Sequence, residues 1–185
     1  MKRKFLILLV IVVVLIVSLI CYYKFYHTNY ITDYEWLYDE AIQYLENEIR
    51  EESDYKSQED FQVFTDYKGF GIQENDTKKY AYMWILDETY YVKDGELQTG
   101  SGSSMAYKFT FEDNKVVDYE IPKDGSYYVS SIKKMFPRDV ANRILHFDMD
   151  NSNLDKKVKE YYAYLSIDNS ISSVTNSTKP YIRTE

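Results

Sequence analysis

Residues 80–86 read Tyr-Ala-Tyr-Met-Trp-Ile-Leu, and residues 105–111 read Met-Ala-Tyr-Lys-Phe-Thr-Phe. Both follow the period of two that a β-strand imposes, because successive side chains leave opposite faces of a sheet. In the first stretch Tyr80, Tyr82, Trp84 and Leu86 share one face, and Ala81, Met83 and Ile85 share the other. With both faces apolar or aromatic, that strand is expected to be central in its sheet. In the second, Met105, Tyr107, Phe109 and Phe111 line a single face.

Working outward, Lys93-Asp94-Gly95 carries a hairpin signal between short strands at 90–92 and 96–99. The polar run Gly100-Ser101-Gly102-Ser103-Ser104 has the composition of a loop. Residues 112–115 turn the chain into Val116, Val117, Tyr119 and Ile121, and Pro122 ends the pattern. Upstream, Phe61 and Val63 begin a strand, Gly69 and Gly71 punctuate a turn around Phe70 and Ile72, and residues 74–79 form a further polar turn. The outcome is an antiparallel meander of four or five strands.

Helical periods flank it. Over residues 32–51, Leu37, Ala41, Leu45 and Ile49 recur along one face with Trp36 and Ile42, behind a Thr32/Glu35 capping box. Glu40, Glu46, Asn47 and Arg50 mark the opposite, solvated face, and residues 51–60 read as a loop. After a turn at 123–126, a helix is expected from about 130 to 136. Pro137 fits the first position of another that runs to about 147. Ser152 and Asp155 cap a last helix that buries Leu154, Val158, Tyr161, Tyr162 and Leu165. The class is therefore α+β, with a helix packed on an antiparallel meander in a cystatin-like outline and further helices at the C-terminal end. That outline hosts inhibitors, binding modules and enzymes alike, so it assigns no function.

The N-terminal segment sets location. Residues 5–23, FLILLVIVVVLIVSLICYY, carry no charge and follow Lys2, Arg3 and Lys4. Nineteen residues at about 1.5 Å each span about 28 Å, close to the roughly 30 Å hydrocarbon core of a bilayer. The run is longer than a signal-peptide apolar region, and bulky Ile20 and Cys21 stand where a peptidase needs small side chains. Three basic residues before it against Lys24 just after it place the N-terminus in the cytoplasm. The expected organisation is a stub and transmembrane signal-anchor over 1–24 and a connector over 25–31. An extracytoplasmic domain over 32–167 and a flexible tail over 168–185 follow, with residues 24–185 outside a cell membrane. The lipid bilayer is the partner of residues 5–23.

From Phe25 onward the chain carries 18 basic and 30 acidic residues, a formal net charge of −12. Such an excess repels nucleic acid, which is excluded as a partner. A single cysteine leaves no internal disulfide, which suits a Gram-positive surface. The 21 tyrosines serve core and recognition equally, since the ring buries area while the hydroxyl keeps a polar contact.

Residues 80–111, YAYMWILDETYYVKDGELQTGSGSSMAYKFTF, followed by YEIPKDGSYYVSSIKKMFP at 119–137, resemble the extracytoplasmic domain of some Firmicutes membrane proteins. These include uncharacterised single-span proteins and the tails of beta-lactam-sensor-type membrane metallopeptidases. The resemblance covers a third to a half of the chain and implies a sensory or accessory surface domain. It carries no peptidase activity over, because H-E-x-x-H is absent and the histidines are His27 and His146 alone.

Other constellations point to structure more than chemistry. Ser130 and Ser131 stand three residues before Lys133 and Lys134, but the S-D-N and K-T-G partners of an S-x-x-K enzyme are missing. Asp148, Asp150 and Ser152 have the spacing of oxygen ligands in a calcium loop, although Asn153 replaces the glycine and Lys159 the closing glutamate. They form a weak calcium candidate; no other metal and no cofactor is expected. His27 reads as an interface residue, His146 as a helix-terminus residue, and the pairs Glu51-Glu52 and Asp87-Glu88 as solvated charge. No catalytic residue emerges. The leading expectation is a binding or accessory domain without catalysis that meets a protein, peptide or envelope ligand outside the cell. Its recognition face would comprise Tyr80, Tyr82 and Trp84 with the loop residues Ser101, Ser103 and Ser104. The alternatives are an envelope hydrolase with an unrecognised site and a structural subunit of a membrane complex.

Overall fold

The structure is a computed structural model that describes residues 2–26, 30 and 33–176, with side-chain surroundings in the terminal helices given for residues 9–20, 22 and 152–165. It is α+β, with five α-helices and one antiparallel sheet of four strands in the order β1-β2-β3-β4. The strands are β1 (Glu59–Asn75), β2 (Lys78–Lys93), β3 (Glu96–Glu112) and β4 (Lys115–Glu120). As its two apolar faces require, β2 lies between β1 and β3.

β1 and β3 run on where the sequence suggests interruptions, because both interruptions are bulges. The first lies between Gly69 and Gly71, where β1 shifts register against β2 and continues. Gly71 has φ +133°, and a side chain there would meet the Tyr30 ring at 2.4 Å, so the backbone bends without turning. The second falls at Gly100–Ser104, which is strand and not loop. Gly102 pairs with Glu88 and Thr99 with Tyr90, so β3 holds one extra residue there. The Thr89 hydroxyl accepts from the Ser101 N–H at 2.8 Å and lies 3.0 Å from the Ser101 carbonyl, which replaces the displaced ladder bonds.

α2 (Trp36–Glu52) covers one face of the sheet. Its Leu37, Ala41 and Leu45 pack on Ile72, Met83, Ile85 and Phe109, almost all with no exposure. Each large apolar side chain removed from water contributes about 1.5–3 kcal/mol before the entropy of ordering it is counted. Thr32 lies outside the described residues; Glu35 is the N-cap, and no side chain caps the helix. The face expected to be solvated is partly engaged, since Glu46 accepts from Thr65 at 2.5 Å and the Arg50 guanidinium lies 5.9 Å from the Phe61 ring centre.

The other face carries α3 (Tyr128–Met135), α4 (Arg138–Ile144) and α5 (Ser152–Asn176). Ile132, Phe136, Val140 and Ile144 pack on Phe70, Tyr82 and Ala106, while Leu154 and Val158 pack on Leu86 and Tyr90. Pro137 is the N-cap of α4 (φ −51°, ψ 147°) and not its first helical residue, and α4 stops at Ile144. α5 runs on through residues 168–176, a stretch expected to be tail; residues 177–185 lie outside the described residues.

α1 (Lys2–Tyr26) is one continuous helix. Among the described residues no helix is long and apolar enough to cross a membrane. The described apolar side chains of α1 run from Leu9 to Ile20, about 18 Å of helix, and all the large ones are at least 45% exposed.

Candidate functional site

The expected recognition residues do not form one surface. Tyr80, Tyr82 and Trp84 lie on the face covered by α3 and α4. Tyr82 is 3% exposed, with its ring edge-on to Phe136 at 5.8 Å and its hydroxyl donating to Gln73 at 2.8 Å. Burial pushes its phenol well above the ordinary value, with Tyr30 next in effect. Trp84 is half-buried against Phe147, and its indole N–H donates to the Ser104 hydroxyl at 2.9 Å. Ser101 and Ser103 project to the opposite face: Ser103 donates to Asp87, and Ser101 closes the bulge with Thr89. The proposed face is thus in large part packing surface: Tyr80, Trp84 and Ser103 are half-buried, and Ser101 and Ser104 are exposed.

Between the sheet and the α3–α4 corner there is a cleft of about 340 Å³. Its lining includes Gln73 and Asn75 from the end of β1, Tyr80 from β2, Lys108 from β3 and Lys134 from α3. A second cleft of about 230 Å³ shares Lys108 and Lys134 with it and adds Lys123 and Ser131. These elements meet there because Phe136 and Ile132 must bury against Tyr82 and Ala106, which carries Lys134 on the neighbouring turn over the strand ends. Lys108 bonds Glu120 at 2.7 Å and lies 5.1 Å from the Tyr80 ring centre, so it is held in place. Lys134 is exposed, with no ion pair among the described residues.

Charge distinguishes this region. Residues 123–143 carry five basic and two acidic side chains in a domain that is otherwise strongly acidic. The local field favours an anion, and the polar groups of Gln73, Asn75 and Tyr80 can share the hydrogen bonding of a carboxylate or phosphate. Sequence patterning marked Tyr80 and Tyr82, which both line this cleft, but did not place Lys108 and Lys134 there. A lysine on a strand face and another on a helix announce nothing until tertiary packing brings them together.

The other expected sites resolve locally. Ser130 and Ser131 donate to the carbonyls of Tyr127 and Tyr128 at 2.9 and 2.8 Å, and Ser131 accepts from the Lys123 N–H at 3.0 Å. Both hydroxyls are thereby engaged with backbone. Asp150 accepts from the Ser152 hydroxyl at 2.6 Å and its N–H at 3.0 Å at the start of α5, and these bonds lower its carboxyl below the ordinary value. Among the described residues no three His, Cys, Asp or Glu side chains gather as a metal site. His146 Nδ1 lies 2.7 Å from the Asn142 carbonyl, at the end of α4, and His27 lies outside the described residues.

Asp87 corrects a reading. It is 6% exposed in the middle of β2, not solvated, and burial raises its carboxyl above the ordinary value although Ser103 bonds oppose the shift. The signal was the uninterrupted period from Leu86 to Tyr90, which places Asp87 and Thr89 inward. Nearby, Glu48 accepts from Tyr119 at 3.0 Å through one oxygen, while the other is buried with no hydrogen-bond partner among the described residues.

The fold is α+β, with a sheet covered on both faces and a cleft lined by Lys108 and Lys134 at one end. Comparison with protein families, curated proteins and solved structures finds no match for this chain.

Proposed function

We propose that this chain is a single-pass membrane protein, with its N-terminus in the cytoplasm, whose outer domain binds an anionic envelope ligand and performs no chemistry of its own. The observation that carries the binding role is the meeting of Lys108 and Lys134 at a cleft in a domain of net charge −12. In an acidic protein, cations gathered at one concavity raise the local concentration of anions and exclude the protein's own surface from it. Support for the anchor comes from the sequence, where the uncharged run of residues 5–23 follows three basic residues and has a length close to the hydrocarbon thickness of a bilayer.

The test is titration calorimetry on the full chain in lipid nanodiscs, with polyphosphate as probe. The expected result is saturable heat that weakens about tenfold, or about 1.4 kcal/mol, in Lys134→Gln. Absence of heat, or heat unchanged by Lys134→Gln, overturns the reading.

A further inference from the structure

The two edges of the sheet are treated in opposite ways. Along β1, backbone groups are taken by side chains from the helices: Arg143 donates to the Phe70 carbonyl at 2.5 Å, Lys157 to Thr65 at 2.7 Å and Tyr162 to Asp60 at 2.9 Å. Tyr38 accepts from the Gly71 N–H at 2.9 Å. Three helices thus seal this edge, which is how soluble sheets avoid pairing with foreign strands. On the opposite side β4 pairs only with residues 108–112 of β3. Among the described residues, no strand or side chain bonds residues 97–106 of β3 on the side away from β2.

Up to Met105, beyond which Ala106 and Tyr107 are buried, that length lacks two of the usual protections, charge and proline. Residues 97–107, LQTGSGSSMAY, contain no charge and no proline, in a chain where 28% of residues are charged. The bulge at Gly100–Ser101 divides it and leaves residues 102–106 regular, each paired with β2 on its inner side. Five residues match an ordinary strand, about 17 Å of ladder.

We propose that this edge accepts an extended basic peptide segment of a partner protein as an added strand beside β3. Charge selects the occupant. Glu88 pairs across from Gly102 and lies so close that a side chain on Gly102 would touch its Cγ at 2.8 Å. A lysine or arginine of the added strand, crossing over the bare Gly102, meets that carboxylate. Glu96 stands at the end of the same edge, and a second copy of this domain would bring another −12 charge against the first. The site is separate from the basic cleft, and its ligand has the opposite charge.

The test uses the full chain in nanodiscs with the peptide Lys-Val-Lys-Thr-Lys-Val, an acidic counterpart with Glu for Lys, and a basic version N-methylated at alternate residues. Amide hydrogen exchange reads the site and calorimetry reads the affinity. The basic peptide should slow exchange at amides within residues 102–106 at least tenfold, while the N-methylated and acidic peptides should not. Glu88→Gln should weaken the basic peptide about fivefold while circular dichroism stays unchanged. The proposal is overturned if the N-methylated peptide binds equally, if protection falls elsewhere, or if the edge is already protected in a dimer without peptide.

Discussion

The Arg143 guanidinium donates to the Phe70 carbonyl at 2.5 Å and lies 5.5 Å from the Phe70 ring centre, so one side chain of α4 ties down both the backbone and the ring at the bulge of β1. The same group lies 5.7 Å from the Tyr30 ring, and Tyr30 donates to Asp139 on the same helix. Tyr30 is thereby held against α4. Arg143→Ala should cost about 1–3 kcal/mol in urea unfolding, the range for a bond to a charged donor, and Arg143→Lys should recover part of it. Equal stability of the alanine variant would show that the contact contributes nothing.

Tyr82 discriminates packing from recognition. Its ring sits under Phe136 at 3% exposure, so Tyr82→Ala should lose about 3–5 kcal/mol, whereas Tyr82→Phe gives up only the bond to Gln73, about 1 kcal/mol. Chemical denaturation of both variants checks the ordering.

Asp87 gives an acid-side prediction with a definite sign. Its folded-state carboxyl is raised by burial above the unfolded value of 3.8, so the folded protein holds the proton more tightly. That contribution is fully present below the unfolded value and is lost as pH rises through the folded one. Asp87→Asn, which keeps an acceptor for Ser103, should therefore be at least as stable as the parent at pH 7 and lose that advantage towards pH 4. Asp87→Ala leaves Ser103 without its acceptor and should cost about 1–3 kcal/mol at pH 7. Unfolding midpoints across that range decide it.

The tyrosines give the alkaline counterpart. Burial pushes Tyr67 up to about 12, helped by its bond to Asp39, and Tyr119 and Tyr162 likewise to about 12, against 10.0 unfolded. Stability held below pH 10 is lost as pH rises from 10 towards 12, so phenolate absorbance should appear in one cooperative step with the loss of near-ultraviolet dichroism. A gradual titration at pH 10 with the fold intact would contradict the burial of these rings.

Gly102 tests the bulge. A side chain there would meet the Asp87 carbonyl at 2.7 Å, a backbone atom that cannot swing aside. Gly102→Ala should cost about 1–3 kcal/mol by overpacking, seen as a lower unfolding midpoint.

The class of fold was legible because strand periods at 80–86 and 105–111 and the helical period from Leu37 to Ile49 are set by burial, which leaves its mark residue by residue. The sequence misled where one residue type serves two backbone states. Gly69, Gly71, Gly100 and Gly102 mark turns in one context and bulges in another, and the choice rests on neighbours distant in sequence, Tyr30, Tyr38 and Thr89. The candidate site was legible only at Tyr80 and Tyr82. Lys108 and Lys134 lie on different elements and meet through the burial of Phe136, which no local pattern records.

Vectorial labelling tests most directly the proposed topology, in which an anchor leaves the domain outside the cell. In a Cys21→Ser background, Thr77→Cys places a thiol at the exposed β1–β2 turn, and Lys2→Cys places one at the opposite end of the anchor. A membrane-impermeant maleimide should label Thr77→Cys on intact cells as fully as after lysis, and Lys2→Cys only after lysis. Labelling of Thr77→Cys only after lysis, or recovery of the protein in the soluble fraction, would contradict the account.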